Sequence, residues 1–142
     1  RQEQMSSHQE NKALVCRFFT ALEDYCRGNE TALEEIVASS FRDSVLGTQG
    51  IKATIDPVKE LFTDLRCLIN DLLAEEERVI VHFTFEFTHT KPFMGMEPTH
   101  KRVQYVNVTA LRIVQGQIVE RIWNVANSTH LLQQLGSLPS GQ

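Results

Sequence analysis

With 142 residues and a net charge of −4, the chain has the length of one domain and lacks the basic surface that nucleic acid binding requires. Its 42% apolar and 23% charged residues exclude a disordered composition. No window holds the roughly 18 consecutive apolar residues of a membrane span, and residues 1–12 lack the apolar core of a secretion signal.

The first part of the chain is predicted to be helical. Residues 1–10 are polar and are expected to be flexible, and residues 11–136 form the folded domain. From Asn11, apolar residues recur at three- and four-residue steps, which predicts one helix that ends at Gly28. We expect a shorter helix around Leu33, a short strand over residues 41–46, and a helix start at Asp56-Pro57.

The second part is predicted to consist mainly of strands. Residues 79–88 alternate between two faces and are rich in aromatic and β-branched types, which is typical of a strand. Gln115-Gly116 predicts a hairpin turn. The remaining predicted elements are strands over residues 66–73, 102–114 and 117–125, a helix over residues 129–135 and a tail over residues 137–142. Helices followed by an antiparallel meander indicate an α+β fold.

The strand over residues 102–114 is apolar at the centre of both faces. One face carries Val103, Tyr105 and Leu111, and the other carries Val106, Val108 and Ala110. Since neither face looks fully solvated, we expect helices or a cavity on one face and a second subunit on the other. The pattern therefore predicts a homodimer.

Cysteines and histidines do not form a metal-binding pattern. Cys16, Cys26 and Cys67 are an odd number without CxxC spacing, which indicates reduced thiols in a cytoplasmic protein. His82 and Glu86 lie four residues apart on a strand, roughly 13 Å, which is too far to share one ion. We expect no metal site.

Four segments together resemble one known family. They are residues 11–19 (NKALVCRFF), 89–99 (HTKPFMGMEPT), 116–123 (GQIVERIW) and 131–136 (LLQQLG). In this order and spacing they resemble the SnoaL-like polyketide cyclases of the nuclear-transport-factor-like (NTF2-like) superfamily. The resemblance implies a curved antiparallel sheet that N-terminal helices wrap into a cone with an internal cavity.

The resemblance also implies a chemistry. Founding members close a ring by intramolecular aldol condensation without a metal or an organic cofactor, and an aspartate is the general acid/base. That aspartate follows the strand tryptophan, where this chain has Asn124, and the family's glutamine and histidine correspond to Asn107 and Thr109. An asparagine cannot exchange a proton near neutral pH. The candidate base is therefore Asp43, at the position of a family asparagine.

One more residue than usual lies between Gly116 and Trp123, which indicates a β-bulge that changes which side chains point inward. The candidate catalytic residues are Asp43, Asn107 and Asn124. The candidate substrate-binding residues are Phe83, Phe85, His89, Tyr105, Thr109, Trp123 and Asn127. Structural alternatives stay open: Asp43 as a capping carboxylate, Trp123 as core, and Asn127 as a turn or capping residue.

The resemblance predicts a cofactor-free cyclase or isomerase that acts on a small carbonyl-containing substrate by general acid/base chemistry. One alternative is a protein of the same fold that binds a small ligand without catalysis. Another is a dimeric interaction module whose exposed sheet matters more than its cavity. None of the three predicts a nucleic acid or a membrane as partner.

Overall fold

The computed structural model describes residues 2–137, with side chains from residue 7 onward. Its helices are α1 (Gln2–Cys26), α2 (Thr31–Ile36), α3 (Ile51–Ile55), which continues into a 3-10 helix (Asp56–Phe62), and α4 (Ser128–Leu135). Its strands are β1 (Val37–Asp43), β2 (Thr48–Gln49), β3 (Arg66–Glu75), β4 (Arg78–Thr88), β5 (Arg102–Val114) and β6 (Gln117–Ala126).

The strands form one sheet in the order β2-β1-β6-β5-β4-β3. Neighbouring strands run antiparallel except β1 and β6, which are parallel. The predicted α+β fold, with a curved sheet and N-terminal helices, is confirmed. The parallel pair is a departure from the fully antiparallel sheet that we expected: β1 lies beside the last strand, β6, and runs in the same direction.

Predicted bounds agree best with the structure in the second part of the chain, whereas the strand predicted over residues 41–46 is misplaced, because β1 covers Val37–Asp43. β5 has the predicted bounds, and β4 and β6 each differ from prediction by one residue at one end. By contrast, α1 begins at Gln2 instead of Asn11, because the polar residues before Asn11 include no Gly or Pro to stop a helix. Of the predicted tail, only Ser137 lies within the described residues.

The main core lies between α1 and one face of the sheet. The α1 residues that recur at helical spacing are buried there, among them Val15, Phe19 and Leu22, and they pack with Val81 and Phe83 of β4. Burial of each such side chain contributes about 1.5–3 kcal/mol. Although α1 has 25 residues, no described helix is both long and apolar enough to cross a membrane.

Asp56 does not cap a helix as predicted. α3 runs directly into the 3-10 helix, Pro57 occupies its first turn, and no side chain caps its start. Asp56 instead accepts a hydrogen bond of 2.5 Å from the hydroxyl of the buried Tyr25. The carboxylate therefore joins the 3-10 helix to α1, which fixes the part of the chain that covers the sheet.

Candidate active site

A cavity of about 160 Å³ lies between the helices and the inner face of the sheet. Its walls are mainly apolar, and the ring centroids of Phe19 and Phe83 lie 4.7 Å apart. The phenylalanines that line it are Phe18, Phe19, Phe41, Phe62, Phe83 and Phe85. An engineered apolar cavity of about 150 Å³ takes up one benzene molecule, so this cavity matches a ligand with a single ring.

Polar side chains occupy part of the cavity wall. They are Asp43, Thr54, Asn107, Thr109, Arg121 and Asn124. Within the described residues, Asp43 and Arg121 are the only charged side chains that line the cavity. Over the same part of the chain, no group of three or more His, Cys, Asp or Glu residues could hold a metal ion.

Asp43 ends β1 and has no exposed surface. Its Oδ1 accepts hydrogen bonds from the backbone N–H groups of Val45 and Leu46, at 2.9 and 3.0 Å. Its Oδ2 accepts a hydrogen bond of 2.6 Å from Nε of Arg121. The carboxylate therefore holds both the following turn and the guanidinium in place.

Two β-bulges in β6 decide which of its side chains enter the cavity. Leu111 pairs with Arg121 and Ala110 with Trp123, so Ile122 is an extra residue. Val119 is extra in the same way, since Arg112 pairs with Glu120 and Ile113 with Ile118. The predicted bulge between Gly116 and Trp123 is confirmed. As a result, Arg121 and Asn124 both line the cavity although they lie three residues apart.

Asn107 and Asn124 form an oriented chain of hydrogen bonds. Nδ2 of Asn107 donates to the Tyr105 carbonyl at 3.1 Å, and Nδ2 of Asn124 donates to Oδ1 of Asn107 at 2.9 Å. Because a backbone carbonyl can only accept, it fixes the direction of both amides. Oδ1 of Asn124 is buried and has no hydrogen-bond partner among the described residues.

The cavity brings together six of the predicted site residues. They are Asp43, Phe83, Phe85, Asn107, Thr109 and Asn124. Thr109 is buried, and its hydroxyl donates to the Trp123 carbonyl at 2.9 Å, so its proton is directed at the backbone of β6.

The structure corrects the expected placement of Trp123. Its side chain is 40% exposed and is absent from the cavity wall. Side chains alternate between the faces of a strand, so Trp123 points to the outer face because its neighbour Asn124 points inward. The predictions that Trp123 is cavity wall or core are therefore wrong.

His89, Tyr105 and Asn127 also lie outside the cavity wall. His89 is fully buried, and its Nδ1 accepts a hydrogen bond of 3.1 Å from the Thr99 backbone. The Tyr105 hydroxyl lies 3.4 Å from the Ser128 hydroxyl. Asn127 is exposed and caps α4, because its Oδ1 accepts a hydrogen bond of 3.0 Å from the His130 backbone. This bears out the capping alternative for Asn127.

Sequence reasoning missed Arg121, which pairs with the candidate base. The extra residue between Gly116 and Trp123 was the available sign, since a bulge shifts inward positions along a strand. It did not reveal that one bulge lies at Ile122, which is the position that places Arg121 inside. The phenylalanines of α1 and of the 3-10 helix were also missed, because helical spacing does not distinguish a cavity wall from a filled core.

Comparison with known proteins identifies the family. The family model for the SnoaL-like polyketide cyclases matches residues 13–135, and no curated protein matches significantly. The solved structure of AclR from Streptomyces galilaeus, a proposed hydroxylase, is 28% identical with a TM-score of 0.78, over 95% of this chain and 90% of AclR. A proposed SnoaL-like polyketide cyclase from Jannaschia sp. CCS1 is 20% identical with a TM-score of 0.76, over 93% and 95% of the two chains. The chain therefore belongs to the SnoaL-like polyketide cyclase family.

Proposed function

We propose that the cavity is the active site of a cofactor-free cyclase or isomerase that acts on a small carbonyl-containing substrate by general acid/base chemistry. The observation that carries the proposal is the position of Asp43, a carboxylate without exposed surface in a largely apolar cavity. A proton-transfer group for carbon acids needs this combination of burial and proximity to the substrate.

In this mechanism Asp43 takes a proton from the carbon beside the carbonyl group and returns it at another atom. A carboxylate has about four lone-pair positions, and Asp43 uses three of them within the protein. The remaining one serves the substrate. Asn107 and Asn124 hydrogen-bond substrate oxygens, and Phe83 and Phe85 pack against its apolar part.

The test is proton exchange at the α-carbon of a small ketone, such as acetophenone, in deuterated buffer followed by NMR. The wild-type protein is expected to accelerate exchange, and Asp43→Asn should lower the acceleration by at least about 100-fold. Asp71→Asn, which removes an exposed carboxylate of β3, is the matched control and should keep the wild-type rate. Equal rates with and without wild-type protein would contradict the proposal.

A second candidate is ligand binding without catalysis. Two observations favour it: Asp43 is already engaged in an ion pair, and an asparagine stands at the position of the family's aspartate. Under this alternative, acetophenone binds to the wild-type protein but its α-protons do not exchange faster. Binding measured by calorimetry beside the exchange assay therefore separates the two functions.

We also propose that the outer face of the sheet pairs with a second copy of the chain. Trp123 and Val125, 40% and 64% exposed, lie on this face. Cross-strand neighbours form two rows on this face: Leu73–Ile80–Ala110–Trp123, which is apolar, and His82–Val108–Val125, which is apolar except for His82. An exposed apolar patch of this kind is typical of a protein–protein interface.

The oligomeric state is measured by size-exclusion chromatography with light scattering. Wild-type protein is expected to elute as a dimer, and Trp123→Glu should yield a monomer because it buries a charge in the interface. Val45→Glu places the same charge on the exposed turn between β1 and β2, outside this patch, and should leave the dimer intact. A monomeric wild-type protein would refute this pairing.

We propose a cytoplasmic location. The support is that Cys16, Cys26 and Cys67 are all free thiols in the structure, which suits a reducing compartment. Fractionation of cells that express the protein tests the location directly, since recovery in an oxidising compartment would contradict it.

A further inference from the structure

We infer that Arg121 binds the carbonyl oxygen of the substrate, and that the cavity consequently selects uncharged carbonyl compounds over carboxylates. The inference rests on the proposed function, because it assigns the group that holds the carbonyl oxygen while Asp43 removes the proton. Three properties of the site carry it: the free donors of the guanidinium, its fixed orientation, and the charge balance of the cavity.

The guanidinium of Arg121 has donors to spare. It carries five N–H groups, of which the one at Nε is directed at Asp43. Neither Nη group donates a hydrogen bond to another residue in the described part of the chain. Neither Nη atom is fully buried, so a ligand can reach both. The side chain is 23% exposed and lines the cavity. Its two Nη groups are therefore available to a ligand oxygen.

The orientation of the guanidinium is set before any ligand binds. Backbone N–H groups of Val45 and Leu46 hold Oδ1 of Asp43, and Oδ2 then holds Nε of Arg121. The bulge at Ile122 directs the Arg121 side chain inward. A donor that is already aligned needs no reorganisation when charge develops on a substrate oxygen, which is the condition for effective electrostatic stabilisation.

Arg121 is also a stronger donor than the two asparagines. Asn107 and Asn124 each donate one N–H to a protein acceptor, and they carry no charge. Hydrogen bonds from a charged donor are roughly twice as strong as neutral ones. We therefore assign the carbonyl oxygen to Arg121, and leave the asparagines to orient other polar groups of the substrate.

The charges of the cavity cancel, and this sets the substrate class. Asp43 and Arg121 contribute one negative and one positive charge, and the other described lining residues are uncharged. A bound carboxylate would leave a net negative charge among phenylalanine rings, which is unfavourable. An uncharged carbonyl compound leaves the balance intact.

Proton transfer preserves this balance. The C–H bond beside the carbonyl breaks and its proton forms an O–H bond on Asp43. The C–H electron pair forms a C=C bond, while the carbonyl π pair moves onto oxygen and gives an enolate. Asp43 becomes neutral as the enolate becomes negative, so Arg121 exchanges one anionic partner for another and the cavity stays neutral overall.

The experiment compares three probes of similar shape by calorimetry: acetophenone, α-methylstyrene and benzoate. α-Methylstyrene replaces the carbonyl oxygen with a CH₂ group, and benzoate replaces the ketone with a charged carboxylate. Acetophenone should bind the wild-type protein at least about tenfold tighter than α-methylstyrene, because it adds a hydrogen bond from a charged donor. It should also bind tighter than benzoate, which brings an uncompensated negative charge into the cavity. The ¹³C carbonyl resonance of acetophenone should also move downfield on binding.

The variants identify the donor. Arg121→Met leaves a buried carboxylate unpaired and can fail to fold, so the informative protein is Asp43→Asn/Arg121→Met, which removes both charges. This double variant should bind acetophenone and α-methylstyrene equally and should show no carbonyl shift. Arg17→Met removes an exposed arginine of α1 and should retain the wild-type preference and shift.

The outcomes separate this inference from the proposed function. Equal binding of acetophenone and α-methylstyrene to the wild-type protein overturns the role of Arg121, although the cavity remains a ligand site. The role of Arg121 is also overturned if the double variant still prefers acetophenone over α-methylstyrene and still shows the carbonyl shift. Tighter binding of benzoate overturns the charge argument. If none of the three probes binds, both the inference and the proposed function are overturned.

Discussion

Asp43 and Arg121 are register partners across the parallel pair of β1 and β6, and Nε of Arg121 lies 2.6 Å from Oδ2 of Asp43. The pair joins residues 78 positions apart in sequence, so it ties the first strand to the last. The carboxylate has no exposed surface, whereas the arginine is partly exposed. Asp43 therefore depends on Arg121 for compensation of its charge.

Arg121→Met is expected to destabilise the fold by about 3–5 kcal/mol, because it leaves a buried carboxylate without its ionic partner. Asp43→Asn/Arg121→Met should recover most of this loss, since asparagine keeps an oxygen acceptor for the Val45 and Leu46 N–H groups. Urea unfolding of both variants measures the difference. Arg17→Met, an exposed site, should change stability by less than about 0.5 kcal/mol.

If Arg121→Met lowers the free energy of unfolding by less than about 1 kcal/mol, the ion pair contributes no more than a solvent-exposed one, which would contradict the argument from burial. Equal losses in the single and the double variant would show that arginine packing, and not charge compensation, stabilises this part of the sheet.

Ser44→Ala is expected to reduce stability at neutral pH more than in acid. The hydrogen bond of 2.5 Å from the Ser44 hydroxyl is the largest cause that holds the pKa of Glu120 below its usual value, and Arg112 adds to it. A lowered pKa contributes stability above the unfolded value, about 4.3, and the contribution disappears as pH falls through the folded pKa.

The variant should therefore lose about 1 kcal/mol at pH 7, and the loss should shrink as the pH is lowered towards about 3. Urea unfolding over this pH range is the measurement. Ser40→Ala, at an exposed position of β1, is the control and should show no pH-dependent difference from wild type. A loss that is constant with pH would contradict the coupling to Glu120.

The three cysteines should differ in reactivity towards a disulfide reagent at about pH 8. Cys16 is exposed, whereas burial raises the pKa of Cys26 to about 11. Burial, and then the nearby Glu23 carboxylate, also raises the pKa of Cys67. Since the thiolate is the reactive form, we expect one thiol to react quickly and two only after unfolding.

Cys16→Ser should abolish the fast phase and leave the slow one, and titration in denaturant should recover two thiols from this variant. A second fast thiol in the wild-type protein would mean that the α1–β3 contact opens under native conditions, because Cys26 and Cys67 belong to these two elements.

The strands from β3 to β6 were predictable because each satisfies a local pattern, whereas β2 was not predicted and β1 was misplaced. The alternation from Val79 to Phe87 and the Gln115-Gly116 turn need no knowledge of the rest of the chain. Backbone conformation agrees with the turn, since both residues have positive φ. The parallel pairing of β1 with β6 was not predictable in this way, because no local pattern specifies which strand becomes the neighbour of another.

The site was predictable only in part for the same reason. Asp43, Asn107 and Asn124 could be found as polar residues at family positions. Arg121 could not, because its direction depends on the bulge at Ile122, and a bulge is defined by the register with β5. Strict alternation from Asn124 would have placed Ile122 in the cavity and Arg121 outside it.

Asn127→Ala should destabilise the protein by about 1 kcal/mol through loss of the cap on α4, without a change in the affinity for acetophenone. The backbone N–H of His130 loses its acceptor in this variant. Asn127→Asp keeps the acceptor and adds a negative charge at a helix N-terminus, so its stability should equal or exceed that of wild type. Thermal unfolding measures the stability, and titration calorimetry independently measures the affinity for acetophenone. Weaker acetophenone binding at unchanged stability would place Asn127 at the ligand instead of at the helix, because a cap acts on folding and a ligand contact acts on affinity.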